Sequence, residues 1–375
     1  MKVTLSLFII VLVFQTEARA QGCVAIRHFS CSSAFGVGAA LMNPGELTLG
    51  TSYRYFKSFR HFRGTHEEPD RVANGTEVIN HAHAMDLYAQ YALSHRTYAT
   101  ITLPFVVNTR SSLYEHGRTQ RSTTFSRGLA DARVSLGYWL LNPRQHANMN
   151  LALALGLKVP TGDYSANDLF YNVGPDGQPA VRPVDQSIQP GDGGVGLTVD
   201  VQWYHRLAGD LSWSGSGFYL LNPREMNGVR TFRESLSPTL MNEAVMSVPD
   251  QYAIRAGLSY AIPSYGASAM FGIRYEGVPV EDLVGGSHGF RRPGSVFSVE
   301  PGVSYMRGPL SFNVSVPLAV IRNRPQSVTD RETELLTGTP RNGDAAFADY
   351  SINLGISYRL NARPNLNPPA SPENF

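Results

Sequence analysis

Twelve segments of this chain alternate apolar and polar residues, and the joins between them alternate long and short without exception. The segments lie near 45–57, 78–93, 97–108, 129–141, 148–160, 194–206, 210–221, 250–262, 267–277, 295–306, 309–321 and 348–360. A strand has a period of two, so each segment presents one apolar and one polar face. The last shows it most cleanly: Tyr350, Ile352, Leu354, Ile356, Tyr358 and Leu360 share one face, and Ser351, Asn353, Gly355, Ser357 and Arg359 the other. Most segments are long enough for a tilted strand to cross hydrocarbon, which takes about 9–11 residues. Five joins are tight turns, such as Ser94-His95-Arg96 and Arg307-Gly308-Pro309. The others, 58–77, 109–128, 161–193, 222–249, 278–294 and 322–347, are long. A soluble sandwich has no reason to keep every second loop long, whereas a membrane barrel has short turns at one rim and long loops at the other. The expected fold is all-β: a transmembrane, antiparallel, up-and-down β-barrel of about 12 strands.

The two faces sort further. On the apolar face, Tyr91, Tyr138, Trp203, Trp213, Tyr260, Tyr305, Phe312 and Tyr358 fall near the short-turn rim. Tyr53, Tyr55, Phe105, Tyr219, Tyr252, Tyr275, Phe297 and Tyr350 fall near the long-loop rim, with aliphatics such as Leu151, Leu153, Leu155, Leu197, Val199, Val314 and Val316 between. Two aromatic girdles around an aliphatic band is the pattern of a lipid-facing barrel wall. The polar face carries charges of both signs at mid-strand. Arg133, Lys158, Asp200, Arg255, Arg274, Glu300 and Asn353 are the candidate pore-lining residues. Unpaired, such charges would be costly in a dry interior, so they pair across the lumen, meet water, or both. Twelve strands lie between small filled barrels and open porins, which points to a narrow, partly plugged pore.

The N-terminus reads as a leader: Lys2, an apolar run from Leu5 to Phe14, and an Ala18-Arg19-Ala20 cleavage site. The expected organisation is a signal peptide over 1–20, an N-terminal segment over 21–44 that forms a periplasmic plug or lies on the rim, a barrel over 45–360, and a disordered tail over 361–375 rich in Pro and Asn. Cys23 and Cys31 are a disulfide candidate in an oxidising periplasm, or two free thiols. A net charge of +2 gives no reason to expect nucleic acid as a partner. The residues point to no metal and no cofactor, and no ATP-binding motif is evident.

Two stretches resemble known proteins. Asn353-x-Gly355-x-x-Tyr358-x-Leu360 resembles the C-terminal signal that outer-membrane barrels present to the barrel-assembly machinery. Gly156-Leu-Lys-Val-Pro-Thr-Gly-Asp163, followed by a long loop and Ile188-Gln-Pro-Gly-Asp-Gly-Gly-Val195, resembles the family of putative outer-membrane transporters labelled "MetA-pathway of phenol degradation". Read physically, Pro160 ends a strand ladder, Thr161-Gly162-Asp163 opens the loop, and the Pro190 to Gly194 run restarts pairing. The resemblance implies a bacterial outer-membrane barrel that passes small, often aromatic, hydrophobic compounds, and it carries no catalytic residues. The expected function is a passive channel for small solutes, not an enzyme, in contact with outer-membrane lipid and lipopolysaccharide.

Two other classes compete. A lipid hydrolase needs a Ser with a His near the outer rim on the lipid face. His81 and His83 have that position, and Ser287-His288 lies in a long loop, but no His-x-Ser pair shares a face. His81 and His83 could instead chelate a metal, with no third ligand visible. A structural or adhesion barrel would use the Arg-rich long loops to bind lipopolysaccharide phosphates. Asp163, Asn167, Asp168 and Asp176 lack the spacing of a calcium loop and read as solvated loop residues.

Overall fold

The computed structural model describes residues 42–233, 236 and 238–361, without the side chains of 238, 239 and 241. The leader, the Cys23–Cys31 pair, nearly all of the 21–44 segment and the tail beyond 361 lie outside the described residues.

Twelve strands form the wall. They are β1 (Leu47–Arg63), β2 (Ile79–Ala92), β3 (Thr97–Ser112), β4 in two pieces (Ser122–Leu129 and Ala132–Trp139), β5 (Met149–Val159) and β6 (Gly196–Ala208). The circuit continues through β7 (Leu211–Leu221), β8 (Gln251–Ile262), β9 (Ala267–Val278), β10 (Gly294–Arg307), β11 in two pieces (Leu310–Ser315 and Leu318–Asn323) and β12 (Ala345–Leu360). Each pairs antiparallel with the next, and β12 returns to β1, with Leu360 opposite Leu47 and Leu354 opposite Tyr53. Closure removes the free edges that an open sheet would expose. Two helices, α1 (Asp70–Ala73) and α2 (Val328–Thr337), lie in long loops. Among the described residues no helix is long and apolar enough to cross a membrane.

Side-chain facing follows the alternation. Along β5, Leu151, Leu153, Leu155 and Leu157 are 37–61% exposed, while Ala152, Ala154 and Lys158 between them are buried. An apolar band of this extent around the whole wall is stable only against lipid. Parts of both girdles are runs of neighbouring aromatics. Trp203 and Trp213 have centroids 5.6 Å apart at the short-turn rim. At the other rim Tyr219, Tyr252 and Tyr275 follow one another at 6.5 and 5.5 Å.

Besides β1, which runs on to Arg63 through positions read as loop, the structure departs from the alternation in two places. The segment 109–128 reads as a long loop, but β3 runs to Ser112 and β4 begins at Ser122. Above the lipid both faces of a strand are polar, so the ladder continues after its pattern has gone. The second departure is that β4 and β11 are each broken, at Ala130-Asp131 and Val316-Pro317. Pro317 has no N–H to give to the ladder. The flanking groups are still paired: Val316 N donates to Pro301 O (3.0 Å) and Ser351 N to Pro317 O (3.1 Å). Val316, expected in the aliphatic band, therefore lies in a break rather than in a strand.

An arginine on the lipid face near mid-membrane costs about 2–4 kcal/mol. Leu153→Arg, in the middle of the β5 band, is therefore expected to lower the unfolding midpoint in urea, read by loss of heat-modifiable gel mobility. Leu335→Arg, on the exposed face of α2, is the control and is expected to change stability by less than about 0.5 kcal/mol. Equal losses would place Leu153 outside the lipid band.

Candidate functional site

The barrel interior divides into three zones along its axis. The central zone is a polar network on β8 to β12. Arg274 holds Glu300 through two hydrogen bonds, Nε at 3.0 Å and Nη2 at 2.7 Å. Ser315 donates its hydroxyl to the same carboxylate at 2.7 Å, and Arg255 approaches it at 3.9 Å while donating Nε to Ser216 (3.1 Å). Arg274 also lies 3.7 Å from Glu276, which Arg54 reaches from β1 at 4.0 Å. Asn353 completes the zone from β12, its amide 3.4 Å from the Ser315 hydroxyl. Four of the candidate pore residues, Arg255, Arg274, Glu300 and Asn353, are thus brought together. A pair buried this deeply keeps its charges only because geometry and extra hydrogen bonds offset desolvation.

The remaining candidates lie apart. Arg133 interacts electrostatically with Asp86 and Asp200 on neighbouring stretches of wall. Lys158 is fully buried, with its Nζ 2.5 Å from both carboxylate oxygens of Asp192 and 3.9 Å from Asp131. This group sits at the break in β4, and the break is sealed by the loop that follows β5. Thr161 places its hydroxyl in the gap, where it donates to Ala130 O (2.8 Å) and accepts from Ala132 N (2.9 Å). The Asp131 carboxylate accepts from Gly162 N and from Asp192 N, both at 3.0 Å. Gly162 and Gly191 pack backbone to backbone; a Cβ on Gly162 would lie 2.7 Å from the Gly191 Cα. The two motifs singled out in the sequence are therefore one device that closes the wall.

Toward the short-turn rim the interior is aromatic. Trp139 lies 6.3 Å from Tyr98 and 5.7 Å from Tyr204, and Gln202 donates to the Tyr98 hydroxyl. Tyr98 packs over Gly137, where an added Cβ would fall 2.1 Å from the ring. Sequence reading missed this cluster. The signal was available in the adjacent pairs Tyr138-Trp139 and Trp203-Tyr204: with period two, one ring of each must point inward.

At the long-loop end the loops enclose a cavity of about 550 Å³. Residues from β1, β3, β12 and five of the long loops line it. Arg110 donates Nε to Glu115 at 2.8 Å, and Arg292 grips Asp185 with two bonds of 2.7 and 2.6 Å. Burial alone would raise the Asp185 carboxyl; Arg110 and Arg292 override it and hold it well below the usual carboxylate range. Burial pushes the Glu115 carboxyl up, against the pull of Arg110.

Other candidates find ordinary partners. His83 and His81 bond the girdle hydroxyls of Tyr53 (2.7 Å) and Tyr55 (3.0 Å) on the outer surface. His288 lies between Glu225 (3.0 Å) and Glu332 (3.1 Å), and Ser287 accepts from Asp282 N (2.9 Å). Among the described residues no group of three or more His, Cys, Asp or Glu is placed to hold a metal ion. In the terminal strand, Tyr358 and Leu360 face outward, and Gly355 lies under the Asn313 amide, which a Cβ would meet at 2.3 Å.

A closed wall with a lipid band, two girdles and long loops at one rim is the anatomy of a bacterial outer-membrane barrel. No protein-family model matches the chain, and no curated protein matches it. Solved structures do. An outer membrane channel from Pseudomonas putida F1 is similar at a TM-score of 0.56 and 12% identity, covering 85% of this chain and 97% of that one. The Pseudomonas putida toluene transporter TodX gives a TM-score of 0.42 at 9% identity over 92% of this chain and 96% of its own. The first likeness is one of fold; the second carries no argument.

Two substitutions test the seal. Thr161→Val keeps shape but strips both hydrogen bonds from the gap and is expected to cost about 1–2 kcal/mol, while Thr161→Ser costs little. Lys158→Gln leaves two carboxylates without their cation and is expected to cost about 3–5 kcal/mol in urea unfolding. The reversal potential in a salt gradient stays unchanged in Lys158→Gln if the lysine braces the wall, and shifts toward cations if it lines an ion path.

Proposed function

We propose that the protein is a passive outer-membrane channel for small solutes, among them hydrophobic or aromatic ones. The observation that carries this reading is the graded axis: an outer cavity, a central polar network with charges of both signs, and an inner aromatic cluster, all inside a lipid-facing wall. Mixed charge in a narrow, low-dielectric conduit focuses the field on whatever passes. The likeness of the 156–163 and 188–195 stretches to the phenol-degradation transporters supports the same reading. The Tyr–His bonds at the outer girdle favour an interfacial role for His81 and His83 over lipid hydrolysis. Lipopolysaccharide around the outer rim, and assembly machinery that reads the 353–360 strand, are the surroundings this function requires.

Purified protein in a planar bilayer is expected to show small single-channel steps. Replacing the Arg274–Glu300 pair with alanines removes both charges together and widens the central zone, so conductance is expected to rise. Silence from both proteins, with folding shown by gel mobility, would contradict a channel.

A further inference from the structure

The outer cavity has a chemistry of its own. Eight arginines line it against four carboxylates on the same wall. Two more carboxylates stand just behind: Asp185, held by Arg110 and Arg292, and Asp282, held by Arg291. Positive charge remains in surplus among the described residues after every one of these pairs is made. The Nε–H groups of Arg291 and Arg324 are buried and have no hydrogen-bond partner among the described residues, and both residues are at least 97% buried. Burial lowers the Arg233 and Arg324 guanidinium groups, and the nearby Arg292 charge adds to it, against the pull of Glu243 and Asp330. Eight arginines against these six carboxylates leave the site two negative charges short.

Its apolar part is aromatic and placed beside the cations. The Phe290 ring, almost wholly buried in the wall, has the Arg292 Cζ at 4.4 Å from its centroid and the Arg233 Cζ at 4.9 Å. Arg71 and Arg118 approach the Tyr114 ring at 4.9 and 5.2 Å. Phe232 adds a third ring, stacked on Phe170 at 6.0 Å. Tyr114, 37% exposed, and the part-exposed Phe232 offer ring surface to a flat apolar body, and guanidinium forks accept a carboxylate through paired hydrogen bonds. The volume is in the range of small-molecule sites.

We infer that the outer cavity is a selectivity site for small aromatic carboxylates, which it concentrates at the mouth of the lumen. This rests on the channel reading and narrows its solute class. Inorganic phosphate would satisfy the arginines but leave the rings unused, and a neutral aromatic would do the reverse. The cavity's combination of both fits one molecule that carries both groups.

Calorimetric titration of the full-length protein in detergent separates these cases. Benzoate is expected to bind at least about tenfold more tightly than benzyl alcohol or inorganic phosphate, since each lacks one half of the recognition. Arg118→Gln/Arg233→Gln is expected to weaken benzoate by about tenfold or more with gel mobility unchanged. Glu243→Gln removes a competing carboxylate from the Arg233 guanidinium, 3.1 Å away, and is expected to tighten benzoate binding. A purely structural role for these residues would weaken binding in both variants or change it in neither. Equal affinity for benzoate and benzyl alcohol overturns the inference. So does phosphate binding as tightly as benzoate, or loss in the double variant of binding to lipopolysaccharide vesicles with benzoate affinity intact. Conductance in a bilayer is read separately: its persistence with benzoate binding absent removes this site and keeps the channel, and its absence with benzoate binding present does the reverse.

Discussion

Hydrocarbon offers no hydrogen-bond partner, so every N–H and C=O of a membrane-crossing backbone must be satisfied within the wall. The rest of this structure depends on that constraint. It requires the circuit to close, β12 onto β1. It also makes any interruption of a strand a problem that side chains must solve. β4 is interrupted at Ala130-Asp131, near the outer girdle, and three groups repair it: the Thr161 hydroxyl, the Asp131 carboxylate and the Lys158 ammonium. The repair folds the 160–195 loop back onto the wall, and Asp185 in that loop holds Arg110 and Arg292, which line the outer cavity. A local demand of the backbone thus sets the position of a feature on the barrel axis.

The architecture was legible because lipid on one side and polar groups on the other impose a period of two that survives noise. Leu151, Leu153 and Leu155 could not be misplaced without turning β5 inside out. Where lipid ends, so does the signal, and the extensions of β3 to Ser112 and β4 from Ser122 were read as loop. The β4 break was hidden for another reason. Asp131 fits the inward polar pattern perfectly well, and its partners lie 31 and 61 positions away, at Gly162 and Asp192. The motifs containing those partners were visible, but as a strand end and a re-entry, since periodicity carries no long-range contacts.

The interior was half legible. Charged residues at mid-strand were found because they are rare, and Arg255, Arg274, Glu300 and Asn353 do meet around one carboxylate. The inner aromatic cluster was not found, because only the girdle neighbours Tyr138 and Trp203 were placed on a face, and Trp139 and Tyr204 beside them were not. The outer cavity was not legible at all. Its arginines stood out in the sequence as a property of the loops, and nothing local says that Arg110, Arg233, Arg292 and Arg324 face a common space.

The central claim is that solutes pass along the axis through that space. Arg118 is an exposed residue of the cavity wall, so Arg118→Cys offers a thiol there without disturbing a buried contact. The direct measurement is bilayer current before and after a bulky, membrane-impermeant thiol reagent is added from the long-loop side, with the wild type controlling for Cys23 and Cys31. The current is expected to fall in Arg118→Cys and to hold in the wild type. Current that is unchanged in a demonstrably labelled Arg118→Cys protein would mean that the conducting path does not run through the cavity.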